Sequence, residues 1–307
     1  MENFSPNQRA WRRFKNNRFA FVGGVFLISL LLLLFSWPIF APYSPLAFSE
    51  EQFAPPNARH WFGTDVHGRD LLARIVYGAR ISLLVGAVGA GVSLVIGVTW
   101  GAVAGYVGGR WDGVMMRFVD VLYSLPSIVF VIVLIATLES FLKDWLGKIP
   151  MLAKMFSADT GSAARLFFLF AGLGAVSWLT MARIVRGQVL SLRQLPFVEA
   201  SRALGASHSR ILFRHILPNA YGVIIVYLTL TVPSIILYES FLSYLGLGIQ
   251  APQASLGSLL ADGASQINPI RIYWWLIIFP GTTLTLALLA LNFIGDGLRD
   301  AWDTRKS

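Results

Sequence analysis

The amino-acid sequence predicts an all-α integral membrane protein with six transmembrane helices, and two observations lead to this fold class. Hydrophobic residues make up 55% of the 307 residues and charged residues only 13%, whereas about a quarter of the residues of a soluble domain are charged. Six apolar segments are also each long enough to cross a hydrocarbon core of about 30 Å as a helix.

The net charge of +9 raises the question of nucleic acid as a partner. The basic residues flank apolar segments and do not form one patch interleaved with exposed aromatic residues, so we expect membrane lipid and no nucleic acid as partner. The sequence contains no cysteine, which excludes disulfides, thiolate metal sites and thiol nucleophiles.

The first predicted span follows a basic amino-terminal tail. Five Arg or Lys residues lie within residues 1–18, and the apolar segment 19–41 comes next. A secretory signal peptide has a shorter apolar core and a small-residue cleavage site, so we expect an uncleaved helix, with cleavage after Ala41 as the alternative. The other predicted spans cover residues 81–107, 118–138, 166–189, 220–247 and 272–294.

The connection between the first two spans covers residues 42–80 and is rich in proline. We expect its last part, residues 71–80, to lie along the membrane surface, because its large apolar side chains fall on one side. Asp65, His67 and Asp70 precede this part. They could ligate a metal, but no second histidine stands at ligand spacing, so we expect no metal site and a turn held by side-chain hydrogen bonds.

Small residues and a charged pair suggest how two of the spans pack. Gly97, Gly101 and Gly105 repeat every four residues, which leaves one helix face without side chains and predicts a close contact with a neighbouring helix. Asp120 follows Arg117 by three residues in the third span. This spacing predicts an ion pair within the helix.

Four further residues are candidates for the translocation path or for hinges. Pro126, Pro233 and Pro280 interrupt the third, fifth and sixth spans, and a proline inside a membrane helix produces either a hinge, a pore-lining kink or a static kink. Glu239 lies toward one end of the fifth span. A carboxyl group there either lines the path or anchors a helix contact, because it is costly in lipid.

The distribution of basic residues predicts the orientation. With the amino terminus inside, the inner segments hold 16 Lys or Arg residues and the outer segments hold 9, so the positive-inside rule places both termini and the loop 183–218 in the cytoplasm. The outer connection 139–165 alternates apolar and basic residues, as an interfacial segment does, and its role stays open.

The cytoplasmic loop contains a predicted short helix. Pro196 can begin it and Gly205 can end it in a left-handed cap. Phe197, Ala200 or Ser201, and Leu204 then fall on one face as a small apolar ridge. So short a helix is not stable alone, and we expect a neighbour to hold it or a partner's groove to bind it.

This loop resembles a known motif. It reads Glu199-Ala200-Ser201, then three residues, Gly205, eleven residues, and Leu217-Pro218. The pattern resembles the loop motif of ATP-binding-cassette (ABC) importer permeases, with serine in place of its second alanine and the isoleucine, Ile216, one position late. In that family the loop forms the coupling helix that sits in a cleft of the cytoplasmic ATPase.

Three other strings, at residues 61–70, 239–248 and 295–300, resemble the peptide and nickel permease subfamily. Tyr244, Leu256 and Thr304 depart from its usual phenylalanine, tryptophan and proline. The resemblance covers residues 61–303, and the chain looks most like the second, C-type permease of oligopeptide and dipeptide importers.

The resemblance implies a type I ABC importer permease fold. The tail, first helix and outer loop would cover residues 1–79, the ABC type-1 transmembrane domain residues 80–296, and a cytoplasmic tail residues 297–307. It implies ATPase coupling by Phe197, Glu199, Ala200, Ser201, Leu204, Gly205, Leu217 and Pro218.

It also implies partners and a location. These are a second, different permease subunit, two ATP-binding subunits, an external solute-binding protein and a peptide substrate, with the chain in the bacterial inner membrane. This chain would bind no cofactor, because ATP and Mg would be used by the ATPase subunits.

The sequence contains no phosphate-binding Gly-x-x-x-x-Gly-Lys motif and no motif for nucleophilic or metal catalysis, so we expect a transport subunit and no enzyme. One alternative is the same fold importing nickel. Another is an ATP-independent secondary transporter or channel, which predicts charged residues near the middle of several helices. A membrane scaffold that only recruits a partner is the third.

Overall fold

The computed structural model describes residues 6–126, 128–133, 137, 161–249 and 251–302, and almost all regular structure within them is helical. Their only β-type pairing is an isolated bridge between Thr64 and Asp70. The prediction of an all-α protein is confirmed. The helices are α1 (Pro6–Asn16), α2 (Arg18–Phe40), α3 (Leu71–Val107), α4 (Gly109–Ser124), α5 (Gly161–Leu192), α6 (Pro196–Ala203), α7 (His208–Tyr244), α8 (Leu256–Ser265) and α9 (Trp275–Trp302).

Four of these helices, α2, α3, α7 and α9, are long and apolar enough to cross a membrane. A fifth, α5, covers the predicted span 166–189 with 32 residues. The predicted span 118–138 begins in α4, breaks after Ser124 and continues as helix at residues 128–133. Most of its remainder, and residues 139–160 of the predicted interfacial connection, lie outside the described residues. The described residues are thus consistent with six membrane spans.

The prediction of a separate surface segment at residues 71–80 was wrong. These residues are the first turns of α3, which continues without interruption to Val107. Leu71, Ile75 and Val76 are buried, so the apolar side of this segment packs against protein. Three apolar positions on one side fit a protein contact as well as a lipid contact, and the sequence does not distinguish them.

The chain divides into two compact units. The first comprises Met1–Gly86 and Ile236–Ala301, and the second comprises Ala87–Ile235 and Trp302–Ser307. The helices α3, α7 and α9 therefore contribute residues to both units.

In the first unit, the segment before α3 is a turn built on Asp65. Its Oδ1 atom accepts hydrogen bonds from the backbone N–H groups of His67 and Arg69, at 2.8 and 3.0 Å. Its Oδ2 atom pairs with Arg69 at 2.7 Å and Arg74 at 2.6 Å. Burial acts to raise the pKa of Asp65, but the two arginines and the two N–H donors outweigh it and hold that pKa below its ordinary value. The predicted side-chain hydrogen bonds are present.

Glu239 is fully buried in the first unit. The hydroxyl groups of Ser243 and Ser82 donate to its carboxylate at 2.6 and 3.2 Å. Each hydroxyl also accepts a backbone N–H, from Ile249 at 3.0 Å and Leu256 at 3.2 Å. Glu239 thereby joins α7, α3 and the start of α8.

In the second unit, the glycine face of α3 packs closely on α5. A β-carbon at Gly97 would lie 2.6 Å from Cβ of Met181, and one at Gly105 would lie 2.8 Å from the carbonyl oxygen of Arg186. Both distances are shorter than van der Waals contact. The predicted close approach of a neighbouring helix is confirmed.

Candidate functional site

The short helix α6 has the ends that its sequence predicts. Pro196 occupies the first helical position, where its missing N–H costs no hydrogen bond. Gly205 has a positive φ of 77°, its N–H donates to the carbonyl of Arg202 at 2.9 Å, and the N–H of Ala206 donates to that of Ser201 at 3.1 Å. These two bonds form a Schellman motif. Local sequence therefore determines both helix ends.

One side of α6 is anchored in the second unit by Val198. This side chain is fully buried in a hydrophobic cluster that α3, α5 and α7 share. We call it the loop core, and its buried members are Ala102, Met181, Val185, Val189, Val198, Ile211, Leu212, Ile216, Ala220 and Ile224. Because a helix of 8 residues is not stable in water by itself, this contact holds α6 in place.

The other side of α6 is exposed. Phe197 is 37% exposed and Leu204 is 88% exposed, and Glu199 and Ala200 also face solvent. The hydroxyl of Ser201 donates to the carbonyl of Phe197 at 2.8 Å, within the helix. An apolar side chain as exposed as Leu204 contributes little to the stability of the chain, so this ridge is free to enter a groove of another protein.

Leu217 and Pro218 complete the predicted motif and lie inside α7, which begins at His208. Leu217 packs on the edge of the loop core, and Pro218 is exposed. A π-helical turn at Leu212–Ile216 precedes them, in which the N–H of Leu217 donates to the carbonyl of Leu212. Pro218 has no N–H to donate into this turn. These two residues therefore follow the π-helical turn within α7 and do not belong to the exposed ridge.

Two ion pairs join α5 to α4 beside the loop core. Arg186 makes a bidentate pair with Asp112, at 2.5 and 2.7 Å. Arg183 pairs with Asp120 at 2.8 Å, and its guanidinium lies 4.1 Å from the ring centroid of Tyr123. The predicted pair of Asp120 with Arg117 was therefore wrong, because a residue on another helix provides the partner.

The hinge and path candidates lie elsewhere. Pro126 lies at the break after α4, where its carbonyl accepts the N–H of Phe130 at 3.0 Å. Pro233 is buried inside α7 in the second unit, and Pro280 is buried inside α9 in the first unit, as is Glu239 in α7. None of these four residues is a member of the loop core that holds α6.

Sequence reasoning missed Val198, the one residue that anchors α6, because a single buried position produces no periodic pattern. It also missed the roles of Arg183 and Arg186. The only sequence signal for these two ion pairs is a pair of arginines three residues apart near a helix end. The positive-inside rule explains such a pair equally well. No group of His, Asp or Glu residues that could hold a metal ion occurs among the described residues.

Two protein-family models match this chain. Residues 97–307 match the model of the binding-protein-dependent transport system inner membrane component, and residues 5–57 match the N-terminal transmembrane domain of oligopeptide transport permease C. Both matches agree with a multi-pass protein of the inner membrane.

Individual relatives are similar over nearly the whole chain. The chain is 44% identical to the oligopeptide transport system permease protein OppC of Escherichia coli K12, over 99% of this chain and 96% of that protein. It is 43% identical to the dipeptide transport system permease protein DppC of Bacillus subtilis, over 98% of this chain and 86% of that protein. The chain belongs to the binding-protein-dependent transport permeases, in the oligopeptide and dipeptide permease C-type family.

Proposed function

We propose that this chain is one permease subunit of an ATP-driven peptide importer. It forms the translocation pore with a second, different permease, each permease binds an ATP-binding subunit, and an external solute-binding protein delivers the peptide. The names of the relatives support the peptide substrate, since they refer to oligopeptides and dipeptides and not to nickel. ATP and Mg are used by the ATP-binding subunits, because this sequence contains no phosphate-binding loop.

The observation that carries the proposal is the geometry of α6. One buried residue, Val198, attaches the helix to the loop core, and the opposite face presents Phe197 and Leu204. A ridge of this kind is the part that a helix inserts into a groove of a partner. We assign Phe197, Glu199, Ala200, Ser201, Leu204 and Gly205 to the contact with the ATP-binding subunit, and Leu217 and Pro218 to the part of α7 that follows the π-helical turn.

The contact must lie on the side of the membrane that contains ATP. The excess of Lys and Arg, 16 against 9, supports a cytoplasmic position for α6 and for both chain termini. In this orientation the segment before α3 and the residues around α8 face the external binding protein.

The proposed mechanism is alternating access. When the two ATP-binding subunits close on ATP, they draw the α6 helices of the two permeases together, and the cavity between the permeases opens to the outside. Pro126, Pro233 and Pro280 are the proposed hinges or kinks. For Glu239 we favour the anchoring role over the path, because its carboxylate is occupied by two serine hydroxyls.

Replacing Leu204 tests the contact. Leu204→Ala should hardly change the stability of the folded chain, because the side chain is 88% exposed. Full burial of a leucine side chain in a partner, in contrast, stabilises a complex by about 2 kcal/mol. We therefore expect the affinity for the ATP-binding subunit to fall roughly thirtyfold, measured by titrating that subunit onto the purified permease pair. Ile270→Ala is the matched control, since Ile270 is 89% exposed and far from α6 in sequence.

The second measurement is peptide-stimulated ATP hydrolysis by the reconstituted importer, with tri-alanine as the peptide. Equal affinities of the Leu204 and Ile270 variants would contradict the docking role of α6. A wild-type complex that responds to nickel but to no peptide would contradict the substrate. A permease that purifies as a homo-oligomer without an ATP-binding subunit would favour a channel.

A further inference from the structure

The last turn of α3 lies beside the start of the segment that carries α6, residues 193–208, which we call the α6 loop. Nη1 of Arg193, three residues before α6, donates to the carbonyl oxygens of Gly105 and Tyr106, at 3.1 and 3.2 Å. Carbonyls of a last helical turn have no partner within the helix, and they form the negative end of its dipole. The arginine therefore satisfies two such groups with a complementary charge.

The close approach of Arg193 depends on Gly108. This residue follows α3 with a positive φ of 68°, and a β-carbon there would collide with the guanidinium of Arg193. The chain turn at the end of α3 is thus shaped to admit this one side chain.

The end of the α6 loop reaches the same turn of α3. Nδ1 of His208, the first residue of α7, lies 2.9 Å from the hydroxyl of Tyr106. The two rings also meet edge to face, with centroids 5.8 Å apart. Tyr106 therefore contacts the loop on both sides of α6, through its carbonyl before the helix and through its hydroxyl after it.

Packing reinforces the two polar contacts. Tyr106 lies against the loop core that contains Val198, and so do Leu192 and Ala206, which flank α6 in the sequence. A displacement of α6 that preserves these contacts has to displace the end of α3.

We propose that Tyr106, held between Arg193 and His208, is a positioning residue that fixes the α6 loop to α3, so that α6 and the end of α3 move as one rigid body. The inference rests on the proposed function, in which a partner moves α6. It adds the route by which the movement enters the membrane domain, namely along α3.

The experiment measures the number of tri-alanine molecules transported per ATP hydrolysed, with the complete importer in proteoliposomes. The variants are Tyr106→Phe, Arg193→Met and the double variant. Loss of one net hydrogen bond, worth about 1 kcal/mol, corresponds to roughly a fivefold change, so each single variant should lower the ratio by up to that factor. The double variant should lower the transport-to-ATP ratio further. Arg193→Lys should give a ratio between those of Arg193→Met and the wild type.

Tyr221→Phe is the matched control, because no hydrogen bond of the Tyr221 hydroxyl occurs within the described part of the chain. It should leave the ratio at the wild-type value. A purely structural role would lower transport and hydrolysis in proportion, so an unchanged ratio in the double variant overturns the inference. A wild type that transports no peptide contradicts the proposed function instead.

A distance measurement covers the case in which the double variant does not assemble. The sequence has no cysteine, so spin labels can be placed at Val107 and Arg202, which are both exposed. The distance between them should change on ATP binding no more than that of a reference pair within α5, Thr180 and Ser191. A larger change in the wild-type complex overturns the rigid link, and a larger change in Tyr106→Phe alone supports it.

Discussion

The packing of α3 on α5 permits a prediction whose size follows from the structure. In Gly97→Ala, the new β-carbon would lie 2.6 Å from Cβ of Met181 and 2.9 Å from the carbonyl oxygen of Trp178. Neither atom can swing away, since one is backbone and the other is attached to it. Carbon atoms in contact are about 3.5 Å apart or more, so the two helices must separate locally by roughly 1 Å.

Overpacking of this kind costs about 1 to 3 kcal/mol. Alanine also has a better helix propensity than glycine, by about 1 kcal/mol, which offsets part of the cost. Gly91→Ala separates the two effects, because Gly91 lies in the same helix and a β-carbon there meets nothing within 4 Å. The control receives the propensity gain alone, so the free energies of unfolding of the two variants should differ by about 1 to 3 kcal/mol.

Thermal unfolding of the purified permease pair in one detergent provides the assay. We expect Gly91→Ala to melt at or above the wild-type temperature and Gly97→Ala to melt below it. If Gly97→Ala melts at or above Gly91→Ala, the helices tolerate the methyl group, and the inference of a tight backbone contact is wrong.

Two further predictions concern Asp65 and Gly205. The pKa of Asp65 is lower in the folded than in the unfolded protein, so the carboxylate's contribution to stability is complete above the unfolded pKa and is lost as the pH falls through the folded pKa. The melting temperature should therefore fall on acidification, and Asp65→Asn should make it depend less on pH. Equal pH dependence in the wild type and in Asp65→Asn would show that Asp65 is not the cause. Gly205→Ala should cost about 1 to 2 kcal/mol because of the positive φ, speeding hydrogen exchange in α6 roughly tenfold or more. Gly205→Asn should speed hydrogen exchange less, because asparagine adopts a positive φ more readily than alanine. Equal exchange rates in the two variants would show that the positive φ at residue 205 does not strain the turn.

Features that depend on neighbouring residues could be predicted from the sequence. Membrane spans follow from the length and hydropathy of a segment, and the ends of α6 follow from the backbone chemistry of Pro196 and Gly205. The spacing of Gly97, Gly101 and Gly105 likewise places the three residues on one helix face, since the helical repeat is a local property.

The tertiary structure decided which side chains meet. It placed Arg183 beside Asp120, made residues 71–80 the beginning of α3, and brought Ser82 to Glu239 from a segment 157 residues away. Sequence fixes the chemistry of a residue and its position on an element, but several partners are chemically equivalent until the chain is packed.

The same division applies to the candidate site. The motif and the helix of residues 196–203 were evident in the sequence, whereas the anchor Val198 and the contacts of Tyr106 with Arg193 and His208 were not. Tyr106 lies 102 residues before His208. Their contact exists only because α3 and the loop return to one hydrophobic cluster, and burial of that cluster is a property of the whole fold.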